Sequence, residues 1–313
     1  MRYKSFGTTG LDLSVLTIGT YAVGNPAWGD TGEGDFIDAI RYMVEHGVNH
    51  VDTAVNYGGG ESERIVGRAI KDFRDKLIIT TKGGFVRKDG KMVKDCSRAN
   101  MLRSCEESLK NLGLDYIDIY MVHQVDPTVP FGETMEALNT LKAQGKIRHI
   151  ALSNYTREQM EECRKYADVE AVQLRYSMVD RGKEADLKWA KANGIGTMTH
   201  GSMGAGILSG AYRTLPNFPE NDARVLYYDY FKEPKFSRIM EFLKTLDEVA
   251  GAHDAPVAQV VLNWQSQKAY LDTALIGVRN VPEAVENCGG FDWTLTDEEA
   301  AAIDAAIEQY LNW

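Results

Sequence analysis

Eight short apolar runs, each followed by a stretch of helical periodicity, constrain this chain more than any other feature. The runs are residues 15–20 (VLTIGT), 48–53 (VNHVDT), 76–82 (KLIITTK), 116–123 (YIDIYMVH), 147–154 (IRHIALSN), 169–177 (VEAVQLRYS), 194–200 (GIGTMTH) and 271–277 (LDTALIG). Helices are read at 35–47, 62–71, 98–113, 132–145, 157–167, 184–194, 236–253, 257–267 and 296–310. Strands separated by helices pair in parallel, with both sheet faces covered. Eight such units close a (β/α)8 barrel. Two alternating runs around GTTG, ahead of the first unit, predict an N-terminal β-hairpin. The expected architecture is α/β, a (β/α)8 TIM barrel with an N-terminal hairpin and extra C-terminal helices. No Pro/Ser-rich linker divides the 313 residues, so 1–313 is read as one domain.

Composition narrows the partners. A formal net charge of −10 argues against nucleic acid, whose phosphates need clustered Lys and Arg. Cys96, Cys105, Cys163 and Cys288 are widely spaced, which speaks against a disulfide framework and for a reducing compartment. No apolar run reaches the roughly 18 residues of a membrane span. MRYKSFGTTG lacks the apolar core of a secretory signal. A cytoplasmic protein with a small-molecule partner is expected, and no pattern of His or Cys predicts a metal. The oligomeric state is left open.

In such barrels the active site lies at the C-terminal ends of the strands. Asp52 stands at the end of the second run, one residue before its last, with Tyr57 in the glycine-rich loop beyond; Lys82 ends the third and His123 the fourth. An ordinary phenol, with a pKa of about 10, is a poor acid at neutral pH. A lysine cation beside it favours the phenolate, and a carboxylate paired with that lysine holds it charged and in place. A histidine can donate a hydrogen bond to a substrate carbonyl oxygen. The set can protonate an alkoxide as it forms, provided that a cofactor brings hydride. No GxGxxG follows an early strand, so the Rossmann reading has no support. Instead GSMGAG (201–206) and GVRNVPEAVEN (277–287) follow strands seven and eight, where barrels bind phosphate.

The ordered blocks VDTAVNYGGGESERIVGRAI, TTKGG, DIYMVHQVDP, ALSNY, VQLRYS, GILSG and ALIGVRNVPEAVEN resemble those of the aldo-keto reductases over nearly the whole chain. The resemblance implies a catalytic tetrad of Asp52, Tyr57, Lys82 and His123, with Tyr57 as the general acid. It implies Gly19 and Thr20 near the nicotinamide ribose, with Asp52 among the cofactor contacts. Ser153, Asn154 and Gln173 would hold the carboxamide. Residues 202–206, among them Ser202, Gly204 and Gly206, would cover the pyrophosphate. Gly277, Arg279, Glu283 and Asn287 would surround the adenosine 2′ region. Two positions depart from the family: His200 stands where a tyrosine commonly stacks on the nicotinamide, and Glu283 where Arg or Gln commonly approaches a 2′-phosphate. NADPH is favoured through Arg279, with NADH open.

Tyr21, Trp28, Phe85 and Tyr176 are read as lining an apolar pocket for a carbonyl or alcohol substrate. The expected activity is NAD(P)H-dependent reduction of aldehydes or ketones, or the reverse. Two other readings stand beside it: a Schiff-base lyase with Lys82 as nucleophile, and a regulatory barrel that binds cofactor with little turnover.

Overall fold

The computed structural model describes residues 1–24, 32–220 and 222–313. The strands are β1 (Tyr3–Ser5), β2 (Asp12–Ser14), β3 (Leu16–Gly19), β4 (His50–Asp52), β5 (Ile78–Gly83), β6 (Phe85–Lys88), β7 (Lys91–Lys94), β8 (Ile117–Val122), β9 (Ile147–Ser153), β10 (Val169–Arg175), β11 (Gly196–His200) and β12 (Thr273–Gly277). Eight of them close a barrel in the order β10-β11-β12-β3-β4-β5-β8-β9, every pair parallel. Each coincides with one of the eight sequence runs to within a few residues at its ends, β5 reaching one residue further, to Gly83. β1 and β2 form the expected antiparallel hairpin.

The helices follow from capping and apolar spacing. Arg98–Leu112 starts at Ser97, whose side chain accepts from Asn100 N, and stops at Gly113 with φ 66°. Asp297–Tyr310 opens with a capping box between Thr296 and Glu299. The structure adds elements that the sequence pattern does not predict, among them the short helix Ala223–Tyr227. The helix Val281–Gly289 begins at the Asn280 cap, with proline in its first turn. The antiparallel hairpin β6–β7 projects after β5; its signal was present, an Asp-Gly pair between alternating residues.

Side chains alternate in and out along each barrel strand. The lower interior is apolar, with Phe6 and Leu13 packed among Ile119, Met121, Ala151, Ala171, Met198 and Leu275. Phe6, just past β1, lies against Gly196, where an added Cβ would sit 2.6 Å from its ring, so the N-terminal hairpin plugs the far end of the barrel. A polar layer crosses this core. His50 contacts the hydroxyls of Thr17 and Thr80 at 2.7 Å each, and Thr17 continues to Thr273 at 2.6 Å. Asp52 and Lys82 stand one inward position above His50 and Thr80.

His50 gives the first prediction. Burial, then the Lys82 charge, lowers its pKa from 6.5 to about 3. The folded protein therefore holds it neutral, while the unfolded chain takes up a proton below 6.5. Its contribution to stability is full above pH 6.5 and declines as pH falls toward about 3, by up to about 1.4 kcal/mol per unit. His50→Gln is expected to flatten this part of the acid side of the stability curve. Urea midpoints of both proteins at neutral and mildly acidic pH check it; an equal acid loss in both would rule out His50 as the source.

Candidate active site

Strand register brings the key residues together. Asp52 pairs with Thr80 and Gly19 across its neighbours, and Lys82 lies one inward step beyond Thr80. Lys82 is fully buried and Asp52 is 1% exposed. The Lys82 ammonium donates to Asp52 Oδ1, to the Thr53 carbonyl at 3.0 Å and toward the Tyr57 hydroxyl at 3.5 Å. Gln173 Nε2 donates to the other carboxylate oxygen at 2.8 Å. Burial works against both charges, raising the Asp52 carboxyl and lowering the Lys82 ammonium, and each opposes that shift in the other.

The loop beyond β4 aims Tyr57. Gly58, Gly59 and Gly60 follow it with φ of 54°, 65° and 89°, a left-handed run that glycine adopts without a Cβ penalty. At Gly58 a Cβ would stand 2.7 Å from the Gly24 carbonyl oxygen. Helix Glu61–Ile70 therefore starts at once and the phenol is turned back over the barrel mouth. The Tyr57 ring meets Tyr21 edge-on at 4.9 Å and His123 at 5.5 Å, and Phe85 meets His123 at 5.2 Å.

One expectation is corrected here. Tyr57 is not acidified in this structure. Burial, followed by the Asp52 and Tyr21 charges, pushes the phenol well above 10. The ammonium reaches it only at the outer limit of a hydrogen bond, which does not offset the loss of solvent. His123 is held well below 6.5 by burial and by the Lys82 and His200 charges, so it is neutral. Its Nδ1 lies 3.1 Å from Asn56 Oδ1. With that oxygen as acceptor the ring proton sits on Nδ1; a half-turn of the amide, with the heavy atoms in place, moves it to Nε2. Asn56 was not singled out in the sequence, where nothing marks a loop asparagine as a partner of a histidine far along the chain.

The other expected site residues divide. Ser153, Asn154, Gln173 and His200 share the rim: Asn154 Nδ2 donates to Ser153 Oγ at 2.9 Å, and its Oδ1 lies 2.9 Å from His200 Nε2. Burial, then Lys82 and Arg175, lowers His200 to about 4. The Ser202 hydroxyl is buried and has no partner among the described residues, while Gln265 grips its carbonyl at 2.6 Å. Gly201, Gly204, Ala205 and Gly206 have φ of 72°, 55°, 59° and 91°, backbone that can gather N–H groups into a hollow for an anion.

The Thr20 hydroxyl meets the Asp52 carbonyl at 3.0 Å and Ser62 at 2.8 Å. Gly277 is exposed beside Gly19, and Asn287 is buried on its helix. Arg279 and Glu283 form an ion pair, with Arg279 N and Nε each 2.9 Å from the carboxylate.

Tyr176 is withdrawn from the substrate pocket. It follows the inward-turned Arg175, so alternation sends it outward. There its ring stacks on Trp264 and its hydroxyl meets Tyr270 at 2.7 Å. Trp28 lies outside the described residues. Among the described residues no cluster of His, Cys, Asp or Glu could hold a metal, and no helix is long and apolar enough to cross a membrane.

A closed (β/α)8 barrel with titratable groups buried at its mouth makes that mouth the candidate active site. Comparison with known proteins defines it further. The chain matches the model of the Aldo/keto reductase family over residues 15–308. It is 35% identical to the aldo-keto reductase YhdN of Bacillus subtilis (strain 168), over 100% of this chain and 95% of that protein. It is 31% identical to the NADH-specific methylglyoxal reductase of Escherichia coli (strain K12), over 98% and 99%. Among solved structures, the glycerol dehydrogenase AKR11B4 from Gluconobacter oxydans superposes with a TM-score of 0.90, at 28% identity, over 99% of this chain and 97% of that one. The chain belongs to the aldo/keto reductase family and is an oxidoreductase.

Proposed function

We propose that this protein interconverts a small carbonyl compound and its alcohol with a nicotinamide cofactor, Tyr57 moving the proton. The observation that carries this reading is the convergence of Tyr57, Lys82, Asp52 and His123 at one barrel mouth. A reduced nicotinamide, when bound, supplies hydride to the carbonyl carbon. The unpartnered Ser202 hydroxyl and the left-handed loop through Gly206 suit the phosphates of such a dinucleotide, with Gln173, Asn154 and Ser153 on the rim toward its nicotinamide end.

Tyr57 donates its proton to the oxygen as negative charge develops there. The Lys82 ammonium, held by Asp52 and the Thr53 carbonyl, stabilises the phenolate left behind. His123 polarises the carbonyl from Nε2 when the Asn56 amide nitrogen faces Nδ1. The aromatic rings of Tyr21 and Phe85 keep water from the reacting centre. A Schiff-base role suits Lys82 poorly, since its amine is fully buried and engaged by a carboxylate.

The raised phenol sets the pH response. Tyr57 keeps its proton through neutral pH, so carbonyl reduction is expected to hold steady with rising pH until alkaline conditions. Alcohol oxidation needs the phenolate and is expected to climb across the same range. Loss of reduced-nicotinamide absorbance over a carbonyl panel, repeated across pH, tests both points. No oxidation of either cofactor with any carbonyl would reject the activity; a reduction rate that falls below neutrality and rises above it would reject Tyr57 as the donor.

For the cofactor, the Arg279–Glu283 pair favours a second reading over the NADPH preference of the sequence. A guanidinium already held by a carboxylate offers a 2′-phosphate little free charge. We infer that NADH is accepted at least as well as NADPH. Dissociation constants for both decide it, and Glu283→Gln is expected to shift the ratio toward NADPH.

A further inference from the structure

The β6–β7 hairpin is a basic arm on an acidic protein. Residues 85–95 carry Arg87, Lys88, Lys91 and Lys94 against Asp89 and Asp95, in a chain of net charge −10. Lys88 approaches Asp95 at 3.5 Å. Arg87, Lys91 and Lys94 form no ion pair among the described residues; Arg87 spends one N–H on the Gly90 carbonyl at the turn. Asp126, which feels the Lys94 charge, is already occupied by the Thr128 hydroxyl and by the backbone N–H groups of Thr128 and Cys96.

Register shows which cations face the site. Phe85 pairs with Lys94, and Arg87 with Met92. Directly paired residues share a face of an antiparallel ribbon, as do residues two apart on one strand. Arg87, Met92 and Lys94 therefore stand on the face of Phe85, whose ring touches His123. Three other cations toward this end of the barrel are matched: Lys82 by Asp52, Arg175 by Asp180 and Arg279 by Glu283.

Topology keeps this arm from the cofactor phosphates. The loops suited to phosphate follow β11 and β12, while the hairpin follows β5. In the closed order β11-β12-β3-β4-β5 the two lie on opposite sides of the barrel. Arg87 and Lys94 therefore stand beside the mouth on the side away from those loops.

Resting on the reductase reading, we propose that the preferred substrates are carbonyl compounds with an anionic group, carboxylate or phosphate, at the end remote from the carbonyl, which Arg87 and Lys94 recognise. The carbonyl enters between Tyr57 and His123, Phe85 covers the apolar middle, and the anion rests against the hairpin. Both cations are solvent-exposed, so the attraction is screened by salt over a Debye length of about 8 Å at physiological ionic strength.

A matched pair tests this: 4-carboxybenzaldehyde and its neutral methyl ester, assayed at low and high salt with the full-length protein, Arg87→Gln, Lys94→Gln and the double variant. The wild type is expected to favour the acid by about tenfold in kcat/KM at low salt, a preference that high salt reduces. The double variant is expected to lose it, with ester kinetics and thermal midpoint unchanged. Equal use of acid and ester by the wild type, or a preference that survives in the double variant, overturns the proposal. Calorimetric binding of the two aldehydes without cofactor separates the claims. If neither is turned over, tighter binding of the acid that the double variant loses upholds the hairpin's role, and the carbonyl panel decides the reductase reading. Equal binding of acid and ester rejects the hairpin's role.

Discussion

Tyr57→Phe is expected to lower turnover by about 10²–10⁴-fold, the usual worth of a positioned general acid, while cofactor affinity changes less than about twofold. The substitution removes one oxygen and leaves the ring. That ring keeps its edge contacts with Tyr21 and His123 and its place 5.2 Å from the Lys82 ammonium. Its hydroxyl contributes only the 3.5 Å contact to the lysine, so the fold loses little. Stopped-flow traces of hydride transfer, beside fluorescence titration of cofactor, separate chemistry from binding. A variant that turns over within about tenfold of the wild type would show that the proton comes from elsewhere.

Asp52→Asn is expected to damage stability as much as activity. The carboxylate is the counter-charge of an ammonium with no access to solvent. Removing one partner of a buried pair costs about 3–5 kcal/mol, because the other charge is left uncompensated. Asparagine keeps the shape, but it can offer an acceptor to Lys82 or to Gln173, not to both. The double variant Asp52→Asn/Lys82→Met removes both charges and is expected to regain much of the lost stability while remaining inactive. Denaturant midpoints of the single and double variants give the stabilities, and hydride-transfer rates give the function. A stable single variant, or a double variant no better than the single, would mean that the pair is not the buried charge couple described here.

The pattern of strands and helices made the barrel legible in advance, because each strand of a closed parallel sheet is covered by its own helix and so reads as a separate apolar run. The rim position of Asp52, Lys82 and His123 follows from the same rule, since each stands at or one residue before the end of its run. Legibility ended where side-chain direction depends on one residue of register. Tyr176 reads as a rim residue near the pocket, yet it falls one step past Arg175 and points outward onto Trp264 and Tyr270. The Thr20 hydroxyl is engaged by the Asp52 carbonyl and by Ser62, contacts that join residues far apart in the chain. The β6–β7 hairpin carries a sequence signal in its Asp-Gly turn, but its strands lie outside the βα rhythm.

What the sequence determined by itself is the order of eight βα units and the residue types at their C-terminal ends, because short-range periodicity and chain connectivity need nothing beyond the chain. What only the tertiary structure decided is how those groups behave. The Tyr57 phenol lies above its ordinary pKa rather than below it, the Asn56 amide meets the ring of His123, and Glu283 holds Arg279. Desolvation depends on everything packed around a group, and contacts between residues far apart in the chain arise only when the barrel closes.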